Sequence, residues 1–203
     1  SSLVGSEMCI RDSSDVSNYT RDLDLNTAIA GVNYNKGDTR YSRENFTSYP
    51  DNVIVTHITA DGSEKISLDV SVEPDNTSGG AVNSIGDSAY KRDWNTTVSG
   101  GLISVNGQLK DNQMKFTSQT QVITDNAGTV TDGNGKVSVS GASEVTIITS
   151  MGTDYKDEYP SYRTGETASE LTNRVKWYVD QAAVKTYEEL KANHVSDYQE
   201  IFN

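Results

Sequence analysis

Alternating apolar and polar residues predict β-strands over most of the chain. The clearest example is residues 66–73, in which Ile66, Leu68, Val70 and Val72 alternate with polar residues. Strict alternation is typical of a strand with one buried and one solvated face. Other short runs rich in β-branched residues predict strands at residues 28–34, 39–48, 53–58, 96–109, 114–124, 136–139 and 145–150. Because Gly, Pro, Asn and Asp separate these runs, the sequence indicates a mainly β, antiparallel domain.

One long segment lacks this alternation. Residues 74–97 are polar and contain Gly79 and Gly80. We interpret them as a surface loop, a kind of segment that is often functional or mobile at this length.

The apolar spacing becomes helical after Glu166. Thr167 and Glu170 have the spacing of a capping box, and Thr186 and Glu189 repeat it. Apolar and aromatic stripes at helical spacing follow each box: Leu171, Val175, Tyr178, Val179 and Ala182, then Leu190, His194, Tyr198, Ile201 and Phe202. We therefore expect a β-sandwich domain at residues 15–153 and a two-helix segment at 154–203. The second stripe is still amphipathic at its last residue, which predicts that the natural protein continues.

The charge balance excludes several classes of partner. The 203 residues carry a formal net charge of -12, and no cluster of Lys or Arg interrupts the acidic character. Nucleic acid and anionic membranes are therefore disfavoured as partners. No apolar run approaches the length of a membrane span, and the start lacks the pattern of a signal peptide.

Residues 1–14 show neither strand nor helix periodicity. Residues 7–12 are similar to the translation of a sequencing adapter, a contaminant of metagenomic gene predictions. We expect residues 1–14 to be a disordered artefact, and a flexible natural terminus is the alternative. Without Cys9 the chain has no thiol, so the sequence predicts no disulfide and no thiolate metal site.

An acidic and aromatic cluster between the last predicted strand and the first helix is a candidate site. It contains the carboxylates Asp154, Asp157 and Glu158 and the rings Tyr155, Tyr159 and Tyr162. Glycoside hydrolysis needs two carboxyl groups several Å apart. Aromatic rings also stack on sugar faces, so the cluster is a candidate sugar-contacting surface. In so acidic a chain, a solvated loop is the interpretation that we favour.

Other candidate chemistry is weaker. Asp125 and residues 132–135 resemble half of a calcium loop, but the bidentate Glu at the twelfth position is missing, and a hairpin turn explains Asn134-Gly135. His57 and His194 lie near no nucleophile, so we interpret both as packing or surface residues. The sequence predicts no catalytic residue, no metal site and no cofactor.

Several segments occur together in an order that resembles one known family. They are residues 23–30, 41–44 (Tyr-Ser-Arg-Glu), 48–55, 141–148, 154–155, 162–165, 187–190, 194–195, 197–198 and 201–202. This combination resembles the N-terminal domain of glycoside hydrolase family 95, the inverting α-L-fucosidases, a module also grouped as a family 65-type N-terminal domain. The resemblance covers most of residues 19–203 and is weakest at 74–94.

The resemblance implies an antiparallel β super-sandwich followed by a helical linker and an (α/α)6 barrel. In that family the barrel carries the catalytic carboxylate, and no position of this chain matches it. We therefore expect a fragment that is inactive alone and lacks the family's opening strands upstream of Arg21. The implied partners are the barrel and a fucosylated oligosaccharide, and the implied location of the parent protein is extracellular or periplasmic. Fucosides and α-L-galactosides both stay open as substrates.

A second class of function stays open beside the first. The chain is alternatively a stand-alone carbohydrate-binding β-sandwich that binds glycans through Tyr155, Tyr159, Tyr162 or Trp177. Glycan binding by the isolated chain would favour this alternative. An apolar face left bare by absent neighbouring parts would favour the fragment.

Overall fold

A computed structural model describes residues 16–74 and 92–202 of the chain. Within these residues lie eleven strands and two helices. The strands are β1 (Val16–Asp24), β2 (Ile29–Lys36), β3 (Thr39–Ser48), β4 (Val53–Asp61), β5 (Ile66–Ser71), β6 (Arg92–Ser99), β7 (Leu102–Leu109), β8 (Lys115–Thr124), β9 (Thr129–Asp132), β10 (Lys136–Ala142) and β11 (Glu144–Thr153). The helices are α1 (Ala168–Ala183) and α2 (Tyr187–Phe202). The predicted mainly β architecture with two C-terminal helices is confirmed.

The strands form two antiparallel sheets. The large sheet has eight strands in the order β1-β2-β3-β4-β11-β8-β7-β6, and the small sheet has the order β5-β10-β9. Strand β11 lies between β4 and β8, so the last strand of the chain joins the first four strands to the β6–β8 group. The two halves of the large sheet therefore depend on one late strand.

The first hydrophobic core lies between the two sheets. Strands β4, β7, β8 and β11 supply it from the large sheet, and β5 and β10 supply it from the small one. Val105 and Val145 pack there against Val70 and Val137, all at most 1% exposed. Burial of these β-branched side chains on facing strands holds the sandwich together.

The second core lies on the other face of the large sheet, beneath the helices. Phe46, Val55 and Ile148 of the sheet pack with Val179 of α1 and Leu190 of α2. Because Val145 and Ile147 face the first core while Ile148 faces the second, β11 is buried on both sides. The large sheet is therefore the middle layer of three.

Both predicted capping boxes are present. The hydroxyl of Thr167 accepts a hydrogen bond from the Glu170 amide, and the Glu170 carboxylate accepts one from the Thr167 amide. Thr186 and Glu189 repeat this exchange at the start of α2. These bonds satisfy amides that a helix start leaves unpaired. Each described helix has 16 residues, and neither has the length and apolar character to span a membrane.

Strand β1 is absent from the sequence-based expectation, which placed the first strand at residue 28. It pairs with β2 from Val16 opposite Lys36 to Asp24 opposite Ile29. It lies at the edge of the sheet, and its residues after Val16 are exposed. An edge strand with both faces in solvent has no apolar alternation to reveal it.

The expected loop at residues 74–97 is wrong at its C-terminal end, because Arg92–Ser99 form β6; residues 75–91 lie outside the described residues. The expected single segment 96–109 is instead a hairpin that turns at Gly100 and Gly101. Both glycines have positive φ, 61° and 74°, a conformation that glycine adopts without steric cost. Their amides donate to the Asp132 carboxylate at 2.6 and 2.9 Å.

Shortening one buried side chain of β11 tests the contribution of the second core to stability. Ile148 is 1% exposed, so Ile148→Ala is expected to lower the free energy of unfolding by about 2–5 kcal/mol. Met151 on the same strand is 59% exposed, so Met151→Ala is the matched control, with a change of about 0.5 kcal/mol or less. Urea unfolding of both variants measures the difference, and equal losses would contradict the assigned burial.

Candidate functional site

Asp154 is a buried anchor where β11 ends, and its side chain is 3% exposed. Its carboxylate accepts hydrogen bonds from the Lys115 amide at 2.9 Å and from Lys115 Nζ at 3.1 Å, and Arg163 Nε lies 3.7 Å away. Lys115 Nζ also donates to the Glu166 carbonyl. The interpretation of Asp154 as part of a solvated loop is therefore wrong. A buried carboxylate needs hydrogen-bond partners. Through these partners, Asp154 connects β8 to the segment before α1.

The neighbouring candidates face solvent. Tyr155 is 52% exposed, Tyr159 is 85% exposed and Tyr162 is 42% exposed. The rings of Tyr159 and Tyr162 meet edge to face at 6.4 Å. Asp157 and Glu158 are also exposed, and Glu158 pairs with Lys156 at 2.7 Å. The structure thus separates exposed rings from the buried Asp154 carboxylate, and sugar contact by these residues stays a prediction.

A polar cluster between β3 and α2 has no counterpart in the sequence-based expectations. The Tyr187 hydroxyl donates to the Glu44 carboxylate, and Lys191 Nζ donates to both Glu44 oxygens at 3.1 and 2.8 Å. The His57 ring stacks on the Tyr187 ring at 3.7 Å with an interplanar angle of 6°. Its Nδ1 lies 3.0 Å from Thr146 Oγ1. Because Glu44 and Lys191 are 147 residues apart, no local motif reveals the cluster.

Burial and charge shift three pKa values in this cluster. Burial, aided by the nearby Lys191 charge, lowers the pKa of His57 to about 4, although Glu44 acts in the opposite direction. Burial raises the pKa of Tyr187, and the hydrogen bond to Glu44 raises it further. Burial also acts to raise the pKa of Glu44, but the hydrogen bonds from Lys191 and Tyr187 outweigh it, so this pKa is lowered. His57 is thus a neutral packing residue at pH 7, in agreement with its predicted role.

A second buried carboxylate ties the sheet to the junction of the helices. Asp51, in the turn after β3, has a side chain that is 3% exposed. It accepts hydrogen bonds from Ser48 Oγ at 2.7 Å, Lys185 Nζ at 2.5 Å and the Asn193 amide at 3.3 Å. Burial acts to raise the pKa of Asp51, but the bond from Lys185 and the others outweigh it and lower it. These bonds hold α2 and the junction between the two helices to one turn of the sheet.

The carboxylates of the segment that resembles half of a calcium loop also make structural hydrogen bonds. The Asp132 carboxylate caps the glycine turn, and the Asp125 carboxylate accepts from the Ser143 amide at 3.2 Å. Among residues 16–74 and 92–202, no group of three or more His, Cys, Asp or Glu side chains is arranged to hold a metal ion. His194, the other histidine, is 6% exposed, and its Nε2 lies 2.8 Å from the Thr27 carbonyl oxygen.

Loss of the Asp154 carboxylate is expected to destabilise the protein. Asp154→Ala leaves the Lys115 charge partly buried without its partner, so the free energy of unfolding should fall by about 3 kcal/mol. Asp157→Ala removes an exposed carboxylate from the same loop and is expected to change it by about 0.5 kcal/mol or less. Denaturant unfolding measures both, and an unchanged Asp154→Ala variant would contradict the anchoring role.

The protein is expected to lose stability as the pH falls from about 6.5 towards about 4. In this window the unfolded chain protonates His57, while the folded state keeps it neutral. The slope is at most about 1.4 kcal/mol per pH unit, less to the extent that solvent screens the ring. The lowered pKa values of Glu44 and Asp51 cause a further loss of stability at lower pH. This loss begins where the unfolded chain starts to protonate these two carboxylates. Unfolding of His57→Gln across this range should show a shallower slope, and an unchanged slope would exclude His57 as the cause.

Comparison with known proteins finds similar segments in much longer proteins that are named as fucosidases. The chain is 30% identical over 196 residues to "Alpha-L-fucosidase 2" of Arabidopsis thaliana, a match that covers 91% of this chain and 23% of that protein. It is 30% identical over 207 residues to "Probable alpha-fucosidase A" of Aspergillus niger, covering 94% of this chain and 23% of that protein. The chain thus spans about a quarter of the length of these curated relatives.

The fold has a counterpart among solved structures. "Putative kojibiose phosphorylase from human microbiome" matches with a TM-score of 0.63 and 11% sequence identity, over 90% of this chain and 24% of that one. At this identity the likeness concerns the fold alone.

The protein-family model for "Glycosyl hydrolase family 65, N-terminal domain" matches residues 3–158. This confirms the resemblance to a family 65-type module, and the chain belongs to the glycosyl hydrolase family 65 N-terminal domain family.

Proposed function

We propose that this chain is the non-catalytic N-terminal domain of a longer α-L-fucosidase of glycoside hydrolase family 95, and that it supports an (α/α)6 catalytic barrel. The observation that carries the proposal is the extent of the matches. An N-terminal domain family covers residues 3–158, and the two 30% identical relatives are named as fucosidases and are about four times as long. The rest of such a protein has room for a catalytic domain.

The use of the buried carboxylates supports a non-catalytic role. An inverting glycosidase needs one carboxyl group to protonate the leaving oxygen and another to activate a water. In the described residues, Asp51 and Asp154 are buried and paired with lysines, and Glu44 is held by Lys191 and Tyr187. These groups join sheet, loop and helices, so they are committed to structural contacts.

Exposed apolar side chains on the helical layer support a docking role. Trp177 on α1 is 57% exposed, and Ile201 and Phe202 on α2 are 83% and 53% exposed. Val184, between the helices, is 83% exposed. Several large apolar side chains exposed on the same layer are a feature of interaction surfaces. We assign this layer as the face that packs on the barrel.

The substrate and location belong to the same proposal. A fucosylated oligosaccharide is the substrate class indicated by the names of the relatives, and an α-L-galactoside is the related alternative. An extracellular or periplasmic location follows from the resemblance and fits an enzyme that acts on glycans.

A carbohydrate-binding module is the second candidate function, and the exposure of three tyrosines favours it. Tyr155, Tyr159 and Tyr162 present accessible ring surface on one loop. Rings in this arrangement combine an apolar body with a hydroxyl, which suits contact with a glycan. In this case the isolated chain binds fucosylated glycans without any barrel.

The purified 203-residue chain is expected to leave an α-L-fucosyl glycoside unhydrolysed, because the catalytic carboxylate would lie in the barrel. The same chain extended through the following open reading frame is expected to hydrolyse it. A chromogenic fucoside assay on both proteins measures the difference. Turnover by the short chain at the rate of the long one would overturn the proposal.

Two variants separate the candidate functions. Trp177→Ser should lower the melting temperature of the extended protein and leave that of the short chain nearly unchanged, because the ring would be buried only against the barrel. Tyr159→Ala should leave both melting temperatures unchanged, since Tyr159 is 85% exposed. If the short chain binds fucosylated glycans and Tyr159→Ala abolishes binding, the binding-module function is correct.

A further inference from the structure

A polar cleft of about 400 Å³ lies beside α2, on the helix-facing side of the large sheet. Strands β1, β2 and β3 form its floor, and Lys191 of α2 forms part of a wall. The strand register places Asp22, Gly31 and Glu44 in one cross-strand row, and Asn33 opposite Ser42 in a neighbouring row. A cavity of this size accommodates a small ligand.

Gly31 keeps the floor of this cleft open. A Cβ atom at position 31 would lie 3.2 Å from Asp22 Oδ1, a tight contact with the carboxylate above it. With glycine at this position, the Asp22 carboxylate stands over bare backbone. The cleft therefore has an acceptor group beside an accessible floor.

The hydrogen-bonding groups of the cleft are only partly used. Asn33 Oδ1 accepts from Ser42 Oγ at 2.8 Å and from Arg40 Nη2 at 3.4 Å. Within residues 16–74 and 92–202, the side-chain nitrogen of Asn33 (Nδ2) and the Asp22 carboxylate make no hydrogen bond or ion pair, and the Arg40 guanidinium makes only the long bond to Asn33 Oδ1. Free donors at Asn33 and Arg40 thus share one cleft with a free acceptor at Asp22.

This set of groups matches the hydroxyls of a sugar. A hydroxyl group both donates and accepts, so adjacent hydroxyls of one sugar can donate to the Asp22 carboxylate and accept from the Asn33 side-chain amide or the Arg40 guanidinium. A divalent cation is disfavoured by the positive charges of Arg40 and Lys191. A phosphate is disfavoured by the three carboxylates of the lining, Asp22, Asp24 and Glu44. A neutral ligand with adjacent hydroxyl groups meets both donors and acceptor without a charge conflict.

We propose that this cleft binds one neutral sugar unit of a glycan through adjacent hydroxyl groups. The site is built from strands and a helix, and it uses none of the tyrosines of the loop after β11. It is independent of the catalytic activity of any longer protein. Because Asp22 and Arg40 are exposed, the affinity is expected to be weak, with a dissociation constant of about 1 mM.

Titration of the isotopically labelled 203-residue chain, followed by amide NMR, tests the site. The probes are methyl α-L-fucopyranoside and methyl β-D-glucopyranoside, two neutral glycosides. At least one should cause saturable shifts at the amides of Gly31, Asn33 and Arg40. The absence of saturable shifts there with both probes would overturn the proposal, whatever the fucosidase assay shows.

Variants assign any binding to the named groups. Asn33→Ala removes the side-chain amide, and Arg40→Gln replaces the charged guanidinium with a shorter, neutral amide, so each should raise the dissociation constant about tenfold. Asn95→Ala, on the opposite edge strand β6 of the same sheet, is the matched control and should bind as the unaltered chain does. Equal affinity in all three variants would overturn the proposal, as would preferential binding of Ca²⁺ at these amides. Arg40→Gln changes an exposed side chain, so it keeps the test decisive if Asn33→Ala does not fold.

Discussion

The fold depends on a sheet that is apolar on both faces. Along β11, Val145 and Ile147 point to the small sheet while Ile148 points to the helices, so neither face can be left to water without exposing a core. The small sheet covers one face and the two helices cover the other. The helices are therefore part of the domain's packing in the same sense as the second sheet, although the chain reaches them last.

Polar ties determine where the helices sit on that apolar face. Hydrophobic contact alone is non-directional, whereas a buried carboxylate accepts bonds only from correctly placed donors. Asp51 fixes the junction between α1 and α2 through Lys185, Glu44 fixes the first part of α2, and Asp154 fixes the approach to α1. Each tie joins elements that are far apart in the sequence. Together, these polar contacts fix one position and orientation of the helices on the apolar face of the sheet.

Sequence reasoning predicted the elements with strong local signals. Residues 66–73 alternate strictly, and the spacing of Thr167 to Glu170 is a complete local motif; both correspond to observed elements. Edge strand β1 was missed because its side chains face solvent on both sides, so nothing selects an alternating pattern. The Gly100–Gly101 hairpin was missed because strand-forming residues continue on both sides of it and the Asp132 carboxylate that caps it is distant in sequence.

The candidate site was less predictable than the fold. The cluster of Asp154 with its neighbouring tyrosines was visible in the sequence, but its division into a buried acid and exposed rings depends on Lys115, on another strand. The stack of His57 on Tyr187 joins residues whose proximity is set only by the docking of α2 on the sheet. Local patterns carry information about periodicity and turns. They carry little about which charges meet after the layers have packed.

The tie between Asp51 and Lys185 has a mechanical consequence. Because the junction of α1 and α2 is bonded to the turn between β3 and β4, the junction cannot move away from the sheet without leaving the buried Asp51 carboxylate unpaired. The helical layer is thus held rigidly against the sheet and is not a flexible connection. Any structure that rests on it would take its orientation from the sheet, and a force applied to α2 would pass directly into the strands beneath.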